Sequence, residues 1–259
     1  MSKTQMKSST YHPEEYWSDV ARRTSARPDG VIAGDDEPFY RYKRAQFLKM
    51  LHKIDFSGKK VLEVGPGPGG NLREIINHHK PKSVTGADIS QDMIDYARTQ
   101  LPEWVELQKI NGIELPFQDR QFDIAMTVTV LQHNTDESML KQIIQSICRC
   151  TDQRIYLFER IEKTVKGDEL NMGRPVHYYE EEMKNGGFKL DDVSFLNVSA
   201  SYYMAGVTRK LLNSTKRKEA EPLSGVSLGL QNVLLPVTKM IDPMFPSNRE
   251  FAQLSFIRD

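Results

Sequence analysis

Five short runs of β-forming residues recur through the middle of the chain, with helical stretches between most of them. This alternation limits the fold more than any other feature. The runs are KKVLEV (59–64), KSVTGADI (82–89), WVELQKI (104–110), FDIAMTV (122–128) and RIYLFE (154–159). The stretches NLREIINHH, QDMIDYARTQ and ESMLKQIIQSICRC repeat apolar residues at helical spacing. Strands separated by helices cannot pair as hairpins, so the pattern predicts a parallel, doubly wound α/β sheet with helices on both faces and right-handed crossovers. GGFKLDDVSFLNV reads as a sixth strand and REFAQLSFIRD as a seventh, the latter alternating inward and outward. The expected architecture is a mostly parallel seven-stranded sheet.

The 259 residues suffice for such a core with an appended cap. The first ten residues read as disordered, HPEEYWSDVARRTSA as a helix, PDGVIAGDDEP as a loop and FYRYKRAQFLKMLHKI as a second helix. The expected division is therefore a tail with lid helices (1–55), the core (56–198), a cap or interface insertion (199–248) and the last strand (249–259). The insertion is too long for a plain connection. It holds the helix-like YYMAGVTRKLLN, the charged TKRKEAE, read as a solvated loop, and the apolar GLQNVLLPVTKMI.

Lysine plus arginine and aspartate plus glutamate number 35 each, so no global basic field invites nucleic acid. The start, MSKTQMKSST, lacks the apolar core of a secretory signal, and no run of about twenty apolar residues predicts a membrane span. The nearest candidate, Leu223 to Val237, is interrupted by Gly225, Gly229 and Pro236. The expected location is the cytoplasm, and the sequons at Asn197 and Asn213 are then chance matches. Cys148 and Cys150 read as plain thiols on a helix, and no metal site is expected.

Between the first strand and the first core helix lies VLEVGPGPGGNL (61–72). Glycine there lets the backbone take positive φ and lets a ligand approach the main chain. Such crevices open at the carboxyl ends of parallel strands. Gly65, Gly67 and Gly70 match the dinucleotide fingerprint, with Asp88 at the end of the second strand, while Gly65, Gly67 and Gly69 equally match G-x-G-x-G. Glu63 separates the two readings. A carboxylate beside a pyrophosphate repels it, whereas an ammonium and a sulfonium welcome it. No second catalytic domain for hydride chemistry is expected after the five core strands, which argues against an NAD(P)-dependent oxidoreductase.

Together with VTGADISQDMIDYA, INGIELPF and FDIAMTVTVLQHN, this loop resembles the class I S-adenosylmethionine-dependent methyltransferases. The resemblance covers Lys59 to Glu159 and extends to HYYEEEMKNGGF, as in small-molecule members. It implies that Glu63 and the backbone of Gly65, Gly67 and Gly69 hold the methionine part of S-adenosylmethionine, or of the product S-adenosylhomocysteine. Asp88 would take both ribose hydroxyls, and Ile89 and Met93 would contact adenine, although core packing explains Met93 equally well. Asn111 and Gly112 stand where the family reads the adenine amino group, and Thr127 faces the methionine tail. Tyr40, Arg41 and Arg44 belong to a lid that can meet the cofactor carboxylate, and a solvent-facing basic helix is the competing reading.

At the methyl end, His133 is the leading candidate base, with a structural histidine as its alternative. Glu159, at the end of the fifth strand, is the second candidate. Tyr11, His12, His177 and Tyr178 are further possibilities. The run after the fourth strand is TVTVLQH, which lacks the NPPY-like signature of amino-group methyltransferases of DNA and protein glutamine. An RNA- or protein-modifying enzyme would need a basic stripe or an added binding domain. The expected acceptor is a small molecule methylated at O, N or C. Tyr11, Tyr16, Trp17 and the apolar insertion (Leu228, Leu230, Val233, Leu234, Leu235) suit an aromatic or apolar one. The plainer expectation for the insertion is burial against the core or a homodimer contact.

Overall fold

A computed structural model describes residues 12–27, 37–214 and 221–259. The tail expected to be disordered, Tyr11, the PDGVIAGDDEP loop apart from Glu37 and Pro38, and TKRKEAE apart from Glu221 lie outside the described residues. The elements run α1 (Pro13–Ser25), α2 (Pro38–Leu51), β1 (Lys60–Val64), α3 (Gly70–His78), β2 (Ser83–Asp88), α4 (Gln91–Gln100), β3 (Glu106–Lys109) and β4 (Phe122–Val128). They continue with α5 (Glu137–Cys150), β5 (Thr151–Ile161), β6 (Lys166–Gly167), β7 (Met172–Gly173), α6 (Val176–Asn185), β8 (Phe188–Phe195), α7 (Ser199–Leu212), α8 (Gly225–Ile241) and β9 (Glu250–Arg258).

Seven strands form one sheet in the order β3-β2-β1-β4-β5-β9-β8. β1 pairs in parallel with both β2 and β4, so Glu63 lies between Gly86 and Met126. Only β9 runs against its neighbours, between β5 and β8. Val61, Leu62 and Val64 are all buried, as in a central strand covered on both faces. One face carries α5 and α6 through residues such as Ile144, Ile147, Tyr179 and Met183. The other carries α2 through Phe39, Phe47 and Leu51. Helix starts follow local chemistry: Ser90 caps α4 through the Met93 N–H, and Asp136 caps α5 through those of Ser138 and Met139. The sheet order reverses between β1 and β4, which opens the crevice there.

Two features differ from the sequence reading. A small hairpin, β6 and β7, follows β5. Its two-residue strands are too short to carry a periodic signal. In the insertion, α8 runs unbroken through Gly229 and Pro236. Its apolar residues were expected either to pack on the core or to form a homodimer contact; only Leu235 of the five named is buried, while Leu230, Val233 and Leu234 are exposed, which overturns the first alternative and leaves the second open. Polar residues take the inward positions instead.

Cys148 and Cys150 lie on α5, and burial pushes their thiols up to about 12 and about 11, so both are poor nucleophiles. Among the described residues, His52, Glu74 and His78 bring ligand-type atoms within 4.8 Å of one another, away from the crevice. No helix among the described residues is long and apolar enough to cross a membrane.

Candidate active site

The crevice is a cavity of about 880 Å³, bounded by the carboxyl ends of β1, β2 and β4 and by side chains of α1 and α2. That volume lies toward the upper end for small-molecule sites. α1 is pinned over α4: Val20 and Ala21 pack on Met93, Ser18 bonds Ser90 at 2.9 Å, and Arg22 meets Asp92 at 2.7 Å.

Gly65 and Gly67 both have positive φ and line the cavity. A Cβ at Gly65 would stand 2.3 Å from Val130 Cγ2, so the loop packs directly on the segment after β4. A Cβ at Gly67 would meet nothing within 4 Å. It would occupy open space where a ligand can reach the backbone. Asp88, 5% exposed, ends β2 on the cavity wall. Its Oδ2 accepts from Gly67 N at 3.2 Å and its Oδ1 from Ser90 N at 2.9 Å. Burial raises this carboxyl to about 6, against the pull of those N–H groups.

Glu63 lies just behind the wall and is fully buried. Its Oε1 accepts from Asn71 Nδ2 at 2.8 Å, and Arg44 donates to Asn71 Oδ1 at 3.3 Å. Its Oε2 is buried with no hydrogen-bond partner. Burial pushes its carboxyl up to about 8. Ile89, Met93, Ile110 and Gly112 line the far side, and Met93 serves both the wall and the packing under α1.

Three other expected cofactor residues stand off the wall. Gly69 begins α3 at φ 84°, with its missing Cβ 2.7 Å from Leu101 Cδ1, so its conformation serves packing. Asn111 is exposed and its Oδ1 accepts from the N–H groups of Ile113 and Glu114, both at 2.9 Å, closing its own turn. Thr127 is buried and donates to Glu159 Oε1 at 2.8 Å.

Glu159 is also buried off the wall. Besides Thr127, its Oε1 accepts from Val130 N and Leu131 N, and its Oε2 from Gln132 N, each at 3.1 Å. Burial raises its proton affinity and the four donors oppose that rise. From the other side Arg174, fully buried after β7, donates to Leu131 O at 3.2 Å, Asn134 O at 2.9 Å and Glu137 Oε1 at 2.8 Å.

The loop so held presents His133 to the cavity. Its Nδ1 lies 2.6 Å from Leu170 O, and a carbonyl only accepts, so Nδ1 carries the proton. Gln132 Oε1 accepts from Arg160 N, which turns the Gln132 Nε2 group toward His133 Nε2 at 3.2 Å. Nε2 is therefore the basic nitrogen. Trp17 packs edge-on against the ring at 5.0 Å.

The sequence reading did not single out Lys43, Arg160, Tyr202, Glu250 and Phe251, which also line the cavity. Lys43 Nζ lies 5.0 Å from the Phe251 ring centroid and 5.9 Å from that of Tyr40. Burial pulls its pKa down to about 8. Arg160 Nη2 donates to Glu162 at 2.8 Å. Only the fold brings β9 over α2, so a local pattern carries no signal for this group. Tyr40 and Arg44 reach the wall, and Arg41 is exposed.

A sheet of this order, with a glycine cradle after β1 and an acid ending β2, has the architecture of the Rossmann-like methyltransferase fold. Residues 61–154 match the family model described as a methyltransferase domain. A fatty-acid O-methyltransferase from Mycolicibacterium smegmatis is 29% identical over 102 residues, covering 39% of this chain and 37% of the relative. A phthiotriol/phenolphthiotriol dimycocerosates methyltransferase from Mycobacterium tuberculosis is 35% identical over 106 residues, with the same 39% and 37% coverage. The match thus spans little more than a third of either relative. The magnesium protoporphyrin IX methyltransferase structure from Synechocystis PCC 6803, with bound SAH, is alike in fold over 95% of this chain and 98% of that one, at 14% identity and a TM-score of 0.57.

Proposed function

We propose that the protein transfers the methyl group of S-adenosylmethionine to a small-molecule acceptor lying between His133 and Lys43. The observation that carries this reading is Asp88, a buried carboxylate on the same cavity wall as the positive-φ Gly65 and Gly67. The residues suit the cofactor. Asp88 offers a bidentate acceptor to a ribose diol. Gly67 leaves room against the backbone. The unpartnered Oε2 of Glu63 suits an ammonium group, directly or through water.

Bound, the cofactor supplies an electrophilic methyl on a sulfonium. The chain's part is to hold the acceptor in line and to exclude water with α1 and α2. His133 Nε2 is the group suited to take an acceptor proton once the acceptor displaces the Gln132 amide from it, with its tautomer fixed by Leu170 O. Glu159, its two oxygens engaged by four donors, acts as a brace for the loop rather than as a base.

Phe47, Val128, Tyr202 and Phe251 give the acceptor end apolar walls, and Lys43 and Arg160 bring cations to it, with Glu250 close to Lys43 and Glu162 paired to Arg160. That combination suits an acceptor with an apolar body and an anionic or strongly polar head. The likeness to a fatty-acid O-methyltransferase supports the same class. The two free cysteines fit a reducing compartment such as the cytoplasm.

The first test is thermal unfolding with S-adenosylhomocysteine, S-adenosylmethionine, NAD and NADP. A ligand at about a hundred times its dissociation constant adds about 2.7 kcal/mol, a midpoint rise of roughly 5–10 °C. A rise with the sulfur nucleotides alone supports the reading; a rise with NAD or NADP instead overturns it. Transfer of labelled methyl to long-chain carboxylic acids, phenols, amines and bulk RNA then sorts the acceptor.

A further inference from the structure

The α7–α8 hairpin distributes its side chains the opposite way round from an ordinary surface helix pair. The fully buried positions are Ser201, Ala205 and Thr208 on α7 and Ser227, Gln231 and Leu235 on α8. Four of these six are polar. Gln231 Nε2 donates to Glu37 Oε2 at 3.3 Å, and Ser201 Oγ donates to Asp242 Oδ2 at 2.7 Å. Facing outward are Leu211, Val226, Val233, Val237, Met240 and Met244, each 57–79% exposed. On α8 and just past it, these residues recur every three to four positions once the partly exposed Leu230 is counted, which makes one continuous apolar stripe. An amphipathic helix on a water-facing surface turns its apolar stripe inward. A face this apolar marks a surface covered by something other than water.

We propose that this hairpin seats the protein on the surface of an anionic lipid bilayer, with the stripe in the headgroup layer. Charge selects this occupant. The whole chain balances at 35 against 35, but the sequence 196–249 between β8 and β9 holds seven lysines and arginines against three acids. One of those acids, Asp242, is buried. Lys216, Arg217 and Lys218 lie outside the described residues and Arg209 turns inward to Glu37 at 3.2 Å, which leaves Lys210, Lys239 and Arg249 for the outer surface. Basic residues beside an apolar helical face favour anionic headgroups. A second copy would set the same positive excess against itself. Lys239 is the sole charged side chain within α8, so complementary charges that would register two helices are missing there. The hairpin lies on the bilayer and does not cross it, because no described helix is long and apolar enough to span.

The hairpin that carries this face also reaches the cavity through α7. Tyr202 lines the cavity, and its exposed neighbour Tyr203 packs against it at 5.7 Å between ring centroids. An apolar acceptor dissolved in the bilayer would therefore reach the site over a short path. That consequence rests on the transfer reaction proposed above; the docking does not.

The test is flotation of the full chain with vesicles of phosphatidylcholine alone, and of phosphatidylcholine with one quarter phosphatidylglycerol. The protein is expected to float with the mixed vesicles, less with the neutral ones, and less as salt is raised. Val233→Asp and Met240→Asp are expected to lower the bound fraction at least tenfold. Both residues are exposed, so the unfolding midpoint and S-adenosylhomocysteine binding stay unchanged. Failure to float with the mixed vesicles, or variants that float as well as the parent, overturns the proposal. So does a parent that light scattering finds dimeric and Val233→Asp makes monomeric, with no vesicle binding, because the face then belongs to a second copy. Loss of S-adenosylhomocysteine binding by the parent would undermine the transfer reading while leaving the flotation result intact.

Discussion

Glu159 and Arg174 grip the same loop from opposite chemical sides. The carboxylate takes the N–H groups of Val130, Leu131 and Gln132, and the guanidinium takes the carbonyls of Leu131 and Asn134. A loop with its polar backbone groups tied at both ends has little freedom left, and His133 inherits that rigidity.

Replacing Glu159 with Gln leaves one oxygen to serve these donors and turns an NH₂ group toward one of them. Buried donors without partners cost about 1–3 kcal/mol each. Glu159→Gln should lose about 2–3 kcal/mol in all, or about 4–12 °C in the unfolding midpoint. An unchanged midpoint in calorimetric scans would mean the loop holds its shape without the carboxylate.

Asp88→Ala removes the bidentate acceptor from the cavity wall but leaves the sheet intact. Hydrogen bonds to a charged group contribute about 1.5–3 kcal/mol, so S-adenosylhomocysteine should bind about ten- to a hundredfold more weakly. Titration calorimetry reads this directly, and equal affinity would take Asp88 out of the site.

The sheet was legible because strand and helix periodicity are local properties, and β1, β2, β4 and β5 lie where the apolar runs placed them. The positive φ of Gly65 and Gly67 and the strand end at Asp88 were legible because backbone conformation and a strand-ending acid leave a short signature. Asn111 was read as a contact and instead closes its own turn, since an amide serves either purpose equally well in sequence. Lys43 and Phe251 meet only across the fold, between residues some two hundred positions apart, and no local pattern encodes that. The insertion was legible only in part. Its apolar content was plain, but composition does not say which face turns outward, and that depended on Glu37 and Asp242 holding the polar face inward.

Glu63 should make cofactor binding release protons. In the free protein burial holds its carboxyl at about 8, so much of it is protonated at pH 7. An ammonium group at Oε2 favours the charged form and expels that proton. The apparent binding enthalpy of S-adenosylhomocysteine at pH 7 should then differ between phosphate and Tris buffers. The same shift governs stability. The folded state holds this proton more tightly than the unfolded state does, so the contribution is full below about 4.5 and disappears as pH rises through about 8. Glu63→Gln should flatten that slope and weaken cofactor binding. Equal enthalpies in both buffers would mean Glu63 does not change its protonation on binding.

Lys43 has the opposite sign. Burial lowers its pKa from 10.5 to about 8, so between those values the unfolded chain binds more protons than the folded one. Stability therefore rises with pH across that window, and Lys43→Met should remove the rise while increasing stability at pH 7. An anionic acceptor head beside the ammonium reverses the preference, because an opposite charge favours the protonated form. Its KM should climb as pH passes about 8 and the free enzyme loses the charge, with kcat much less affected. A neutral acceptor of the same shape should show no such climb. In Lys43→Met the KM for the anionic acceptor should be high at every pH and that for the neutral one nearly unchanged. If both acceptors keep parallel pH profiles in the parent and the variant, Lys43 does not face the acceptor head.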